Sequence, residues 1–137
     1  MGRVLGLDLG TKRIGVAVSD PDRRVATPIE VVARSGDRQR DHRAIAGLVQ
    51  EWEAERVVVG LPLSLDGSTG PAAQAALAEV DELAAVVGVP VDTADERMTS
   101  VTANRALDAL DVRGPARRKI VDKVAAAVIL QSWLDAR

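Results

Sequence analysis

Arg3-Val4-Leu5-Gly6-Leu7-Asp8-Leu9-Gly10-Thr11-Lys12-Arg13-Ile14-Gly15-Val16-Ala17-Val18-Ser19 consists of two apolar runs flanking a tight Gly10-Thr11-Lys12-Arg13 turn, with one carboxylate, Asp8, inside the first run. Short apolar runs bounded by turn residues read as buried strands, here a hairpin. Side chains alternate along a strand, so Asp8 shares a face with Val4 and Gly6 near the strand's carboxyl end. An isolated ionised carboxylate in such surroundings is destabilising unless paired, neutralised or bound to metal. The rest of the chain is expected to supply what compensates Asp8.

Outward from this hairpin, Asp20-Pro21-Asp22-Arg23-Arg24 is a turn, and Val25 to Ala33 reads as a third strand interrupted at Pro28. A polar loop runs from Arg34 to Asp41. Ile45, Leu48, Val49 and Trp52 recur at helical spacing and predict a first amphipathic helix of about four turns. Arg56-Val57-Val58-Val59-Gly60 has no polar face, as expected of a central parallel strand. Pro71 suits the first position of a second helix with Ala73, Leu77, Val80, Leu83, Ala84 and Val87 inward, ended by Gly88. Val89 to Ala94 is another short strand and delivers Asp95-Glu96-Arg97. Thr99 or Ser100 can cap a third helix with Val101, Ala106, Leu107 and Leu110 inward. Gly114-Pro115 breaks the chain before a final helix over about Ala116 to Ala136. This order predicts an α/β fold with a mixed five-stranded sheet flanked by helices. Its first three strands are antiparallel, and its later strands are parallel through right-handed crossovers. That is the element order of the ribonuclease H-like fold.

No linker, repeat or low-complexity tract interrupts the 137 residues, so one domain over 1–137 is expected. With 47% hydrophobic and 28% charged residues the balance is globular rather than disordered. A net charge of −2 gives no global attraction to nucleic acid or anionic membrane, so any phosphate-binding surface must be a local basic patch. The absence of cysteine excludes disulfides and thiolate metal sites. With no signal-peptide pattern and no apolar run of about 18 residues, a cytoplasmic protein with no membrane partner is expected. Two tryptophans and no Phe or Tyr argue against single-strand binding on aromatic platforms.

Three acidic residues stand out by context: Asp8 in the first strand, Glu96 after the last strand and Asp122 in the final helix. In a fold of this order the last-strand and last-helix residues can approach the carboxyl end of the central first strand. Three hard oxygen ligands there would suit Mg2+ or Mn2+. Such an ion can activate water and stabilise an in-line phosphodiester displacement. Each residue also has a structural alternative. Asp8 can accept hydrogen bonds from backbone or Thr11, Glu96 can pair with Arg97 or Arg13, and Asp122 can lie on a solvated helix face one turn beyond Arg118 and Lys119. The final helix starts basic with Arg117, Arg118, Lys119 and Lys123, then turns apolar nearly all round from Val124 to Leu130. Ser68-Thr69-Gly70 offers backbone N–H groups at a helix start, a weak phosphate-seat signal. His42, the only histidine, reads as solvated, which argues against a His-based nucleophile or a zinc site.

Gly6-Leu7-Asp8-Leu9-Gly10-Thr11-Lys12-Arg13-Ile14-Gly15-Val16-Ala17 resembles the amino-terminal signature of the YqgF family, also called RuvX. Val58-Val59-Gly60-Leu61-Pro62 with Asp66-Gly67-Ser68 is similar to its second block, and Asp95-Glu96-Arg97-Met98-Thr99-Ser100 to its third. Met98 replaces the more usual Leu. Lys119 through Asp122-Lys123-Val124-Ala125-Ala126 to Ile129-Leu130-Gln131 and Leu134-Asp135 resembles its closing helix. The four blocks fall in family order and cover essentially the whole chain. The resemblance implies a ribonuclease H-like nuclease of a bacterial cytoplasm, with Asp8, Glu96 and Asp122 as metal-binding catalytic carboxylates. The implied substrate is structured nucleic acid, either precursor 16S ribosomal RNA at its 5′ end or branched DNA. For such an enzyme, Arg13, Arg118, Lys119 and Lys123 are expected to hold the phosphate backbone, with Thr11, Lys12 and Arg97 at the same edge. Asp66, Asp92 or Asp95 is left as the source of any fourth ligand, Asp95 being favoured. Either a monomer or a homodimer is compatible with this reading.

Two other readings compete. Actin-like ATPases share the strand followed by Asp-x-Gly-Thr, but they need a second such lobe and phosphate loop, which this sequence lacks. A non-catalytic RNA-binding or ribosome-assembly factor on the same fold is the closer rival.

Overall fold

The computed structural model describes residues 2–64, 66–97 and 116–136, with side chains in the last segment from residue 120. Its strands are β1 (Val4–Leu9), β2 (Arg13–Ser19), β3 (Ala26–Ala33), β4 (Arg56–Leu61) and β5 (Val91–Asp95). Its helices among the described residues are α1 (Arg38–Glu51), α2 (Pro71–Val87) and α3 (Ala116–Asp135). The strands form one sheet in the order β3-β2-β1-β4-β5. β2 is antiparallel to both β1 and β3, whereas β4 runs parallel to β1 and β5 parallel to β4. This is the expected mixed five-stranded sheet of the ribonuclease H-like fold. The helix expected after Thr99 or Ser100, with Val101, Ala106, Leu107 and Leu110 inward, lies outside the described residues.

Strand alternation divides the core in two. Leu5, Leu7, Ile14, Val16, Val57 and Val59 pack beneath α1 and α2. Val4, Ala17 and Val58 turn the other way, against Ala126, Ile129, Leu130 and Trp133 of α3. The apolar run of β4 is therefore buried on both faces, as a central strand should be. Pro28 has no N–H to donate and lies on the outer strand β3, where the pairing shifts register between Val16 and Ala17.

Three local expectations change. α1 begins at Arg38, inside the stretch expected to be loop, because the Asp37 side chain accepts hydrogen bonds from the Gln39 and Arg40 N–H groups and caps the first turn. α2 starts at Pro71 and stops at Gly88, whose φ of 73° is the left-handed cap expected there. Its inward residues, however, are Ala73, Glu79, Val80, Leu83 and Val87, while Leu77 and Ala84 face solvent. His42 is the third correction. It is 1% exposed, and its Nε2–H donates to Glu79 Oε2 at 2.7 Å between the two helices. Arg34 closes the same cluster with two hydrogen bonds to the Glu79 carboxylate at 2.7 and 3.0 Å and one from Nε to the Gly10 carbonyl at 2.9 Å.

Candidate active site

Asp8 stands at the carboxyl end of β1 on the face covered by α3, half-buried, beside Gly15 in the β1–β2 ladder. α3 comes down directly on this pair. A Cβ added to Gly15 would run into the Asp122 carbonyl, so the missing side chain is what lets the helix lie flat and bring Asp122 over the end of β1. Glu96 follows β5. Its N–H donates to the Leu61 carbonyl at 3.1 Å, which fixes it one step beyond the β4–β5 pairing. A Cβ on Gly60 would collide with the Glu96 carboxylate and with Ile129. Two glycines therefore clear the ground on which Glu96 and Asp122 approach Asp8.

The carboxyls of Asp8 and Glu96 hydrogen-bond to each other. Burial is the main cause that pushes Asp8 up to about 6, and the Asp122 charge adds to it. Burial likewise lifts Glu96 to about 7, followed by the Asp8 charge and then the Asp8 hydrogen bond. Two neighbouring, half-buried carboxylates disfavour double ionisation, so the pair takes up a proton more readily than free carboxyls do. Asp122 is satisfied differently, by Arg13, whose Nε lies 2.5 Å from Asp122 Oδ2. The structural alternatives are thus resolved one by one. Asp8 takes Glu96 as its partner, Arg97 is bound to Asp95, and Arg13 is bound to Asp122, which is not on a freely solvated face.

Among the described residues, no three acidic or imidazole side chains are drawn close enough together to enclose a cation. The donor set nevertheless suits one. Asp8 and Glu96 form an oxygen-only, half-buried pair without a cationic partner among the described residues, a donor set that suits a hard divalent ion. The sources considered for a fourth ligand are all engaged. The favoured Asp95 is held below the usual carboxylate range by hydrogen bonds from Arg97. Asp92 binds Arg56 at 2.9 Å, and Asp66 accepts from the Ser68 N–H at 2.9 Å.

Of the residues expected to meet phosphate, Thr11 and Lys12 are exposed on the turn beyond Asp8, and Arg13 opens β2 on the α3 side. Arg97 follows Glu96, and Lys123 is half-buried next to Asp122. The side chains of Arg117, Arg118 and Lys119 lie outside the described residues. Sequence reasoning missed the Arg34–Glu79–His42 cluster. His42 stands three residues before Ile45, and Glu79 four before Leu83, so both lie on apolar helix stripes whose phase would have flagged them. Among the described residues no helix is long and apolar enough to cross a membrane.

Comparison with known proteins agrees with this architecture. The RuvX profile, described as Holliday junction resolvase, matches residues 2–136. A protein of Mycobacterium sp. (strain KMS) named "Putative pre-16S rRNA nuclease" is 50% identical over 137 residues, covering 99% of this chain and 81% of that one. One of the same name from Rhodococcus opacus (strain B4) is 49% identical over 140 residues, with coverage of 99% and 79%. T. thermophilus RuvC, solved in complex with a Holliday junction substrate, shares the fold with a TM-score of 0.61 and 22% identity over 100% of this chain and 96% of that one. A profile match over nearly every residue, together with relatives sharing half their sequence, places this chain in the RuvX family of Holliday junction resolvases.

Proposed function

We propose that this protein is a cytoplasmic, divalent-metal-dependent nuclease that trims precursor 16S ribosomal RNA at its 5′ end. The observation that carries the reading is the Asp8–Glu96 carboxyl pair at the end of the central strand, with Asp122 close enough for its charge to act on Asp8. Asp8, Glu96 and Asp122 would hold Mg2+ or Mn2+, which when bound supplies an activated water and positive charge at the phosphodiester. The chain's own residues orient the substrate. Lys12, at the exposed turn, and Lys123, beside Asp122, meet backbone phosphates. Arg13 keeps Asp122 directed toward the sheet face that carries Asp8, and Thr11 and Arg97 border the same edge. Cleavage leaves a 5′-phosphate and a 3′-hydroxyl. The names of the relatives support the ribosomal RNA substrate, and the family description supports four-way DNA junctions as the second one.

The test is cleavage of end-labelled precursor 16S RNA and of a four-way junction, with Mg2+, Mn2+ or EDTA, by the wild type and Asp8→Asn. Metal-dependent cleavage lost in the variant supports the reading, and the preferred substrate names the physiological class. Equal cleavage by both proteins overturns the carboxylate assignment. Binding without cleavage of either substrate returns the protein to the non-catalytic RNA-binding alternative.

A further inference from the structure

A cavity of about 370 Å³ opens on the opposite face of the sheet, between α2 and the Gly10–Thr11 turn. This is within the usual range for small-ligand sites, roughly 300–1,000 Å³. Its walls are apolar, formed by Pro62 and by Ala72, Ala75 and Ala76 of α2, and its polar edge carries Thr11 and Arg34. Its charges already cancel. Arg34 is neutralised by Glu79, and Arg38 at the rim is bound to Glu82 at 2.6 Å. A free anion would therefore gain little here. Directional donors remain. Among the described residues Arg34 commits three of its five N–H groups, one to Gly10 and two to Glu79. Apolar flat walls with a few donors at one edge suit a neutral, planar heterocycle that carries acceptors.

The position of the cavity says where such a ring would come from. Leu9, Gly10 and Thr11 line it, and they follow Asp8 directly in the chain. The cavity mouth and Asp8 therefore share the carboxyl end of β1, on either side of the Gly10–Thr11 turn. We infer that the cavity receives one base of the bound nucleic acid, turned out of its stack and seated between the α2 alanines and Arg34. This rests on the nucleic-acid substrate proposed above. Extruded bases held on apolar or guanidinium planes and read at their edges are the usual currency of recognition for unpaired nucleic acid. Without Phe or Tyr, this chain does it with alanine walls and arginine.

The experiment places 2-aminopurine at successive positions of the precursor RNA and of the junction, with the full-length protein in EDTA so that nothing is cut. Binding is followed separately by anisotropy of an end label. One position is expected to brighten several-fold as its base leaves the stack. Ala75→Leu, which fills the cavity from an exposed helix position, should abolish the brightening and weaken binding roughly tenfold. Ala72→Leu serves as the second filling variant, and thermal melting of both checks that the fold is kept. Binding with no position that brightens, or brightening that survives both filling variants, overturns the base site and leaves the nuclease reading intact. Failure to bind either nucleic acid overturns both.

Discussion

Two acidic clusters lie at the same end of one sheet, on opposite faces, and they treat their carboxylates in opposite ways. Beneath α1 and α2, Glu79 is held below its usual range: burial opposes its charge, but hydrogen bonds from Arg34 and His42 outweigh it. Beneath α3, no such cation is found between Asp8 and Glu96 among the described residues, and they rise to about 6 and about 7. The first cluster balances its own charge within the protein. Among the described residues the second does not, which is what a bound ion would offset.

The largest expected effect breaks the second cluster. Asp8→Asn should lower Mg2+-dependent cleavage by about 10³-fold, since the ion is worth several kcal/mol to the transition state. In EDTA its melting temperature should equal or exceed that of the wild type, because a desolvated acid has been removed. A clear drop in melting temperature would mean that Asp8 is structural. The converse holds for Glu79→Gln, which strands the half-buried Arg34 guanidinium and the buried His42 and should cost about 2–4 kcal/mol by denaturant titration. If it costs under about 1 kcal/mol, the contrast between the clusters fails.

Gly15→Ala tests the seat of α3. The added methyl meets the Asp122 carbonyl, and a loss of about 1–3 kcal/mol is expected together with weaker metal binding in a calorimetric titration. The smallest effect is the pH dependence. The folded-state values of Asp8 and Glu96 lie above their ordinary 3.8 and 4.5, so the protonated pair favours the fold below about pH 4, and this contribution is lost as pH rises through about 6 and 7. Metal-free protein should therefore lose about 1–2 kcal/mol between pH 5 and pH 8, discounted for partial exposure. Mg2+ should restore it at pH 8. A stability that rises over that interval would contradict the upward shift of the pair.

Much of this was legible in the chain because it was written in short-range patterns. The glycine-bounded apolar runs give β1, β2 and β4, and the phases of Ile45, Leu48 and Val49 or of Val80 and Leu83 give the helices. Asp8 declared itself as a lone carboxylate in an apolar run. Glu96 and Asp122 stood out by context, but each had ordinary local reasons to be charged, and the family resemblance was what joined them to Asp8. In the Arg34–Glu79–His42 cluster, only the helix phase of His42 and Glu79 was legible, and their pairing was not. Its members look like polar surface one at a time, and only the docking of two helices shows that they satisfy one another. The Arg13–Asp122 pair is of the same kind, joining the first hairpin to the last helix across 109 positions.

Gly15 carries a consequence beyond packing. Because α3 touches the sheet there backbone to backbone, Asp122 stands at a height set by the thickness of that contact rather than by its own rotamer. The helix behaves as a beam resting on Gly15 at one end, with Ala126, Leu130 and Trp133 bearing the load further along. Substitutions under the far end of the beam, remote from any substrate, would tilt it and retune the spacing of the carboxylates. The hydrophobic core beneath α3 is thus also the adjustment screw of the carboxylate site.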